Sequence, residues 1–562
     1  MDDERASILL ANKQGGFAWL AAQPESRYQG VFFKLGEQTF KTLAHLAVNE
    51  PLKGVTDMLW GAQREYEHTN QRVCMPSGTN ALLVEFSAPT TADVMLDCKI
   101  IDDNREWGRT YEISSAQGCV LITFRKRNDD RDDDTTNSQE YDLFLALAGD
   151  RFEFFPVKEW VEQHYPYDEH RQSRPWSRWV FKAGSVHAQR FVLAAGLTKT
   201  AAVREAKRVL SQRMMFVHKQ MHAVEQVVAH KPLPKHEIDL AYACARNALD
   251  QLIVDQELAA GYPWFTQCWT RDALVSSKAL ALIGRQTLAK RLVQCFAAQE
   301  SLTTRPGSQL IAADAPGWLA VRCNELSPLF NAIEKKRLLK GLRQHRAQLR
   351  MDQGLVVNNA HETWMDSESR DGARIEVQAL ALALFKLLKD VDAEHALRHR
   401  VRETFWNGAY LHDGLDDPTI RPNLFIAAYV YPELLTQEEW ECCFDAVLPK
   451  LWLPWGGLAT IDKGYPSFHD AHTGENPASY HHGDSWFWLN NLAALVLHRT
   501  NKEKYKHYID QILDASSYEI LQLGAISHHA ELSSARALSS HGCVSQAWSA
   551  AMFIELCDEA FS

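Results

Sequence analysis

The hydrophobic period of the chain changes near residue 198, and that change limits what it can fold into more than any other feature. From Ser7 to about Val192, apolar residues alternate in short runs closed by turn residues, as in Gly30–Lys34, Asp93–Ile101, Gly118–Phe124 and Arg190–Gly196. A side-chain period of two belongs to strands with one buried face, so this part predicts an antiparallel β-sandwich over 1–197. Thr198–Ala229 then contains neither Gly nor Pro, and Val203, Ala206, Val209, Leu210, Met214 and Val217 recur at helical spacing. One long linker helix is expected there, ended by Lys231-Pro232-Leu233-Pro234-Lys235, within a linker spanning 198–232. From 233 to 562 the period stays helical, over 236–257, 271–299, 331–351, 374–391, 393–405, 436–450, 484–499, 501–520 and 544–560. About a dozen antiparallel helices without a short repeat predict a double helical ring, an (α/α)6 toroid, rather than a solenoid.

Composition narrows the partner. Net charge is −11 and the 60 Lys and Arg residues are scattered, so no basic stripe suits nucleic acid or an anionic membrane. The acidic start Met1-Asp2-Asp3-Glu4 is unlike a signal peptide, and no apolar run approaches the roughly 20 residues of a membrane span. Eleven cysteines, mostly in apolar surroundings and without zinc-ligand spacing, read as reduced thiols, and a cytoplasmic protein without metal or cofactor is expected. Arg125–Thr136, rich in Asp, Arg and Asn, reads as a solvated loop. Seventeen Trp and 23 His favour a ligand with both apolar faces and hydroxyls.

The stretch Asn358–Leu380 holds the candidate chemistry. Glu362, Asp366, Glu368 and Asp371 precede a helical apolar run, and Trp364 sits among them. A pyranose presents hydroxyls to carboxylates and C–H faces to indoles. Cleaving a glycosidic bond needs one protonated carboxyl and a second as base or nucleophile. The bland alternative is a solvated loop before a surface helix, and a Trp364-Met365 pair is unusual in such a loop.

Thr363-Trp364-Met365-Asp366 followed by Ile375-Glu376-Val377-Gln378-Ala379-Leu380 resembles the signature of the amylo-α-1,6-glucosidase family, the catalytic half of glycogen debranching enzymes. Further loops resemble that family in order: Gly261-Tyr262-Pro263-Trp264-Phe265 with Trp269-Thr270-Arg271-Asp272, then Ala313-Asp314 to Trp318, then Arg421-Pro422-Asn423. Tyr480-His481-His482-Gly483 with Trp486-Phe487-Trp488, and Glu531-Leu532 with Gly542-Cys543 and Gln546-Ala547-Trp548-Ser549, complete the series. Asn12 to Gly16 with Arg27-Tyr28-Gln29-Gly30 is similar to the domain that precedes the catalytic one in bacterial and archaeal members. Ala459 stands in Gly457-Leu458-Ala459-Thr460 where the family usually carries Arg, so one contact is missing.

The resemblance implies an (α/α)6 catalytic domain, an inverting mechanism and an oligosaccharide or polysaccharide substrate such as glycogen branch stubs. Asp366 becomes the general acid, kept protonated by burial or by neighbours such as Glu362, and Glu531 the general base. His528 competes for the second place because Ile526-Ser527-His528 stands where the family carries Ile-Ser-Glu. Its charge is wrong beside an oxocarbenium-like transition state. Arg271 and Asp272 are expected to bind the terminal sugar's hydroxyls in the same pocket as Asp366. Trp269, Trp318, Trp364 and Trp486 are expected as stacking faces, and Asp314, Glu362, Glu376, Arg421, Asn423, Tyr480, His481 and Trp548 as further substrate-binding residues. A related glycosidase or phosphorylase acting on another α-glucoside, and a non-catalytic carbohydrate-binding protein, are the alternatives. Phosphate dependence of sugar release separates a phosphorylase from a hydrolase. A serine hydrolase lacks its Gly-x-Ser-x-Gly elbow.

Overall fold

The structure is a computed structural model that describes residues 7–132 and 139–562. It divides into two compact units: the first runs to Gln226 and takes in Ala525–Ser527, and the second comprises Val227–Gly524 and His528–Ser562.

In the first unit, strands from Ile8–Ala11 to Ser177–Gly196 form one antiparallel hydrogen-bonded sheet. Two 20-residue strands, Ala81–Ile100 and Ser177–Gly196, run side by side through its middle, and their register shifts at Lys182/Gly184 and Ala188/Arg190. Such bulges increase bend and twist. A single apolar core joins Ile8, Val31 and Phe33 from one end of the strand order to Ile122, Phe124 and Leu145 from the other, so the sheet folds over itself as a sandwich. The Asn12 turn is tied by its own carboxamide oxygen, which accepts from the Gly16 N–H over 2.8 Å. The strand Cys119–Lys126 takes the first residues of the expected loop at 125–136. Asp132 is then bound by Arg105 and Trp107, and 133–136 lie outside the described residues.

The expected linker helix is two helices, α1 (Lys199–Ser211) and α2 (Arg213–Val228), offset at Gln212. Ala202, Val203, Ala206 and Val209 of α1 and Phe216 of α2 pack on Leu83, Leu121 and Val192. The apolar stripe read from the sequence therefore covers the sandwich.

The second unit contains, among the described residues, twelve α-helices: α3 (His236–Gln251), α4 (Thr270–Leu282), α5 (Gln286–Ala298), α6 (Ala315–Glu325), α7 (Ala332–Ala347) and α8 (Ile375–Leu388), then α9 (Val391–Phe405), α10 (Asn423–Val430), α11 (Gln437–Leu451), α12 (Phe487–Asn501), α13 (Lys506–Gln522) and α14 (Ala547–Ala560). Helices α4, α6, α8, α10, α12 and α14 pack in that order, and α14 returns to α4 to close an inner ring. The odd-numbered helices pack outside it. This is the (α/α)6 toroid. The 271–299 segment splits at Gly284 into α4 and α5, and α6 and α10 are additions that the period did not show. Pro316 occupies the first turn of α6, where a missing N–H costs nothing, and Gly317 lets that helix approach α8: a Cβ there would lie 2.3 Å from the Leu380 Cβ. All eight residues of α10 are buried, which leaves no polar face to set a period.

Candidate active site

The loops entering the six inner helices meet at one end of the ring. Two short ladders stitch them, Gly261–Tyr262 with Ser545–Gln546 and Ser485–Trp486 with Leu532–Ser533. None of the inner helices has a side-chain N-cap, whereas α7 and α11 carry full capping boxes. Uncapped N-terminal N–H groups and the positive ends of six helices therefore face this region, which favours carboxylates there.

Arg271, in the first turn of α4, is the hub. Its Nε donates to Asp314 Oδ2 over 2.7 Å, and its Nη1 lies 3.7 Å from Asp366 Oδ2. Arg271 Nη2 and Asp314 Oδ1 are buried without hydrogen-bond partners. Burial pushes the Asp366 carboxyl above the usual range, opposed by Arg271 and reinforced by Asp314. Its side chain remains one-third exposed, so it is open to a ligand. The reinforcing acid is Asp314 rather than Glu362: the Glu362 carboxylate is paired with Arg350 and accepts from the Asn359 N–H over 2.8 Å.

Glu531 lies within electrostatic reach of Asp366. Tyr480 donates to its Oε1 over 2.6 Å and the Cys543 N–H to its Oε2 over 2.9 Å. Burial raises its pKa to about 7 against the pull of these two donors. Gly542, at φ +67°, makes room for it, since a Cβ would come within 2.3 Å of Oε2. Between the two candidates for this seat the geometry is plain, because His528 is turned to Ser545 Oγ at 2.9 Å. Asp272 joins the group: burial and the Glu531 charge, against Arg271 and the Gln546 amide that donates to it over 2.9 Å, raise it to about 7.

Other expected site residues turn out to hold the loops. Trp364, 2 % exposed, donates from Nε1 to Asn423 Oδ1 over 2.7 Å and meets His481, Trp486 and Trp488 edge-on. Trp318 is enclosed by Tyr429 and Trp488. Trp486 is stacked on His481, and Trp548 on Trp488. These positions correct the expectation that Trp318, Trp364 and Trp486 offer stacking faces, because protein rings already cover them. Trp264, Phe265 and Trp269 are half-buried, with Phe265 meeting Trp269 edge-on and the Arg305 guanidinium over the Trp269 ring. Glu376 is likewise engaged, in a bidentate pair with Arg370, which also binds Asp413. Arg421 ties two loops by donating to the carbonyls of Thr460 and His481. His481 has neither ring nitrogen bonded, and burial lowers its pKa, so it is a neutral ring in the stack. Arg370, Asp413 and Gln546 were missed as site residues; only Gln546 had a signal, its place in the final motif. Among the described residues no cluster of His, Cys, Asp or Glu could hold a metal ion, and no helix is long and apolar enough to cross a membrane.

With this geometry in place, the sequence matches the amylo-alpha-1,6-glucosidase family over residues 200–309 and 324–555, more than half of the chain. The chain belongs to the amylo-alpha-1,6-glucosidase family. It is a glycoside hydrolase. No curated protein matches by sequence. Among solved structures, a bacterial glucoamylase complexed with acarbose is similar in fold, with TM-score 0.60 and 10 % identity over 99 % of this chain and 95 % of that one. A mannosylglycerate hydrolase from Thermus thermophilus in complex with glucose is more distant, with TM-score 0.42 and 11 % identity over 56 % of this chain and 98 % of its own. The glucosidase signature and the candidate site thus fall on the same inner-ring loops.

Proposed function

We propose that this amylo-alpha-1,6-glucosidase relative is an inverting, exo-acting hydrolase that releases glucose from α-1,6 branch stubs of glycogen-like or malto-oligosaccharide substrates. Asp366 is the general acid and Glu531 the general base. The observation that carries the reading is the opposed surroundings of two carboxyls in one pocket. Two acids in electrostatic contact share their first proton, and neighbouring donors and charges decide which carries it. Tyr480 and the Cys543 N–H stabilise charge on Glu531 against its burial, while Asp366 is raised by burial and by Asp314 against the pull of Arg271. In the reactive form Glu531 is charged and Asp366 carries the proton. It delivers that proton to the leaving O6 as the C1–O6 bond breaks, and Glu531 takes a proton from the water that bonds to C1 from the opposite face. Arg271 Nη2, a buried donor without a partner, is placed to bind a hydroxyl of the terminal sugar. The Trp264 to Trp269 loop supplies the stacking surface.

The fold likeness to a glucoamylase complexed with acarbose supports a glucan-type ligand. We assign the chemistry to 233–562, with 1–197 as a separate β-domain, and place the protein in the cytoplasm, because all eleven cysteines are free. The test is a panel of α-glucosides and limit dextrin, with and without phosphate, reading released glucose. Phosphate-independent release from α-1,6 stubs is expected. Asp366→Asn and Glu531→Gln are each expected to lower turnover by at least about a hundredfold, the lower end of what acid–base catalysis contributes. Wild-type turnover in either variant overturns the assignment.

A further inference from the structure

Near Glu531 lies an acid–imidazole pair that the proposed reaction leaves unused. His472 Nδ1 is 2.7 Å from Asp484 Oδ2, and Ser479 Oγ donates to the same oxygen over 2.7 Å. Asp484 is fully buried and its Oδ1 has no hydrogen-bond partner, so its contacts to His472 and Ser479 fix it in place. The His472 ring stacks on His541, with centroids 4.4 Å apart and planes at 18°.

These contacts reach both arms of the Glu531 seat. Ser479 immediately precedes Tyr480, whose hydroxyl holds Oε1. His541 immediately precedes Gly542-Cys543, the turn that makes room for Oε2 and donates to it. We propose that the Asp484–His472 pair is a positioning unit that keeps Glu531 seated between its two donors and ionised. It rests on the reading of Glu531 as general base. The His472 charge pulls the Glu531 pKa down, against burial and against Asp366. The other titratable groups facing Glu531 are Tyr480, Asp272 and Cys543, and those facing His472 are Asp484 and His541. The Arg536–Asp470 ion pair lies close by in sequence at the surface.

The test compares His472→Gln, His472→Lys and Asp484→Asn with the wild type. Two readouts are taken: the acidic limb of kcat/KM for glucose release, and a direct 13C NMR titration of the Glu531 carboxyl, which needs no turnover. In His472→Gln the limb and the titration are expected to move to higher pH by about half a unit or more, with KM little changed. His472→Lys places a permanent cation there and holds both at or below their wild-type positions. Asp484→Asn moves them up as well, and the double variant moves no further than the larger single shift. An unmoved limb and titration in His472→Gln overturn the proposal, whatever happens to the rate, since a purely structural role changes rate or stability without moving either. Glu531→Gln in the same assay separates the two readings. If it turns over like wild type, the base assignment itself fails; if it is inactive while the His472 variants leave the titration unmoved, only the positioning unit fails.

Discussion

Glu531 carries a stability penalty that its proposed task explains. Its ordinary value is 4.5 and the folded protein raises it to about 7. A group raised on folding binds its proton more tightly in the native state, so its favourable contribution is complete below the unfolded value and is lost as pH rises through about 7. The difference corresponds to about 3 kcal/mol as an order of magnitude. Glu531→Gln keeps an acceptor for one of the two donors and removes the charge. Thermal unfolding is therefore expected to show the variant gaining on the wild type as pH rises from 4.5 through about 7, while activity is lost. A variant that falls further behind as pH rises would show that the carboxylate is stabilised by its seat rather than strained in it. The same titration predicts that wild-type kcat/KM falls as pH drops below about 7, as the base is protonated.

At the scale of elements, the active site consists of loops leading into inner helices, and the loop Asn358–Arg374 depends on a buried charge network. Arg370 holds Glu376 at 2.7 Å and Asp413 at 2.9 Å, with side-chain exposures of 5 % for Arg370, 1 % for Glu376 and 0 % for Asp413. Arg370→Met leaves two buried carboxylates that Arg374 and Arg421 compensate only partly, at 3.5 and 3.9 Å from Asp413. A loss of about 3–5 kcal/mol in urea unfolding is expected, with turnover falling alongside. Unchanged stability would mean that this loop is held by its aromatic contacts instead. The network also marks the limit of reading a site from sequence. Glu376, Trp364, Arg421 and Asn423 stand in the signature loops as prominently as Asp366 does, and their residue types suit sugar binding equally well. A carboxylate that grips Arg370 and one that faces a ligand look alike until burial and partners are known. Asp366, Glu531, Arg271 and Asp272 stand in motifs whose order is visible in the sequence, and the structure brings Arg271 to 3.7 Å from Asp366 and Glu531 within electrostatic reach of Asp272.

For the whole molecule, the legible parts are those with one wet face. The sandwich strands alternate because one face packs, and outer helices such as α7 show an apolar stripe because the rest meets solvent. The inner ring is buried on every side, so α6 and α10 lost the period that reveals a helix, and Pro316 with Gly317 looked like a break. The linker helix was legible as a helix, though not as the layer that covers the sandwich, since an apolar stripe does not name its partner. Across these scales the central claim remains that Asp366 and Glu531 act from opposite faces of one glucosidic bond. Proton NMR of the glucose first released from an α-1,6-linked substrate tests it most directly. The β-anomer appearing first, and mutarotating afterwards, is the expected result, and first appearance of the α-anomer would contradict the assignment of Glu531 as a base that activates water.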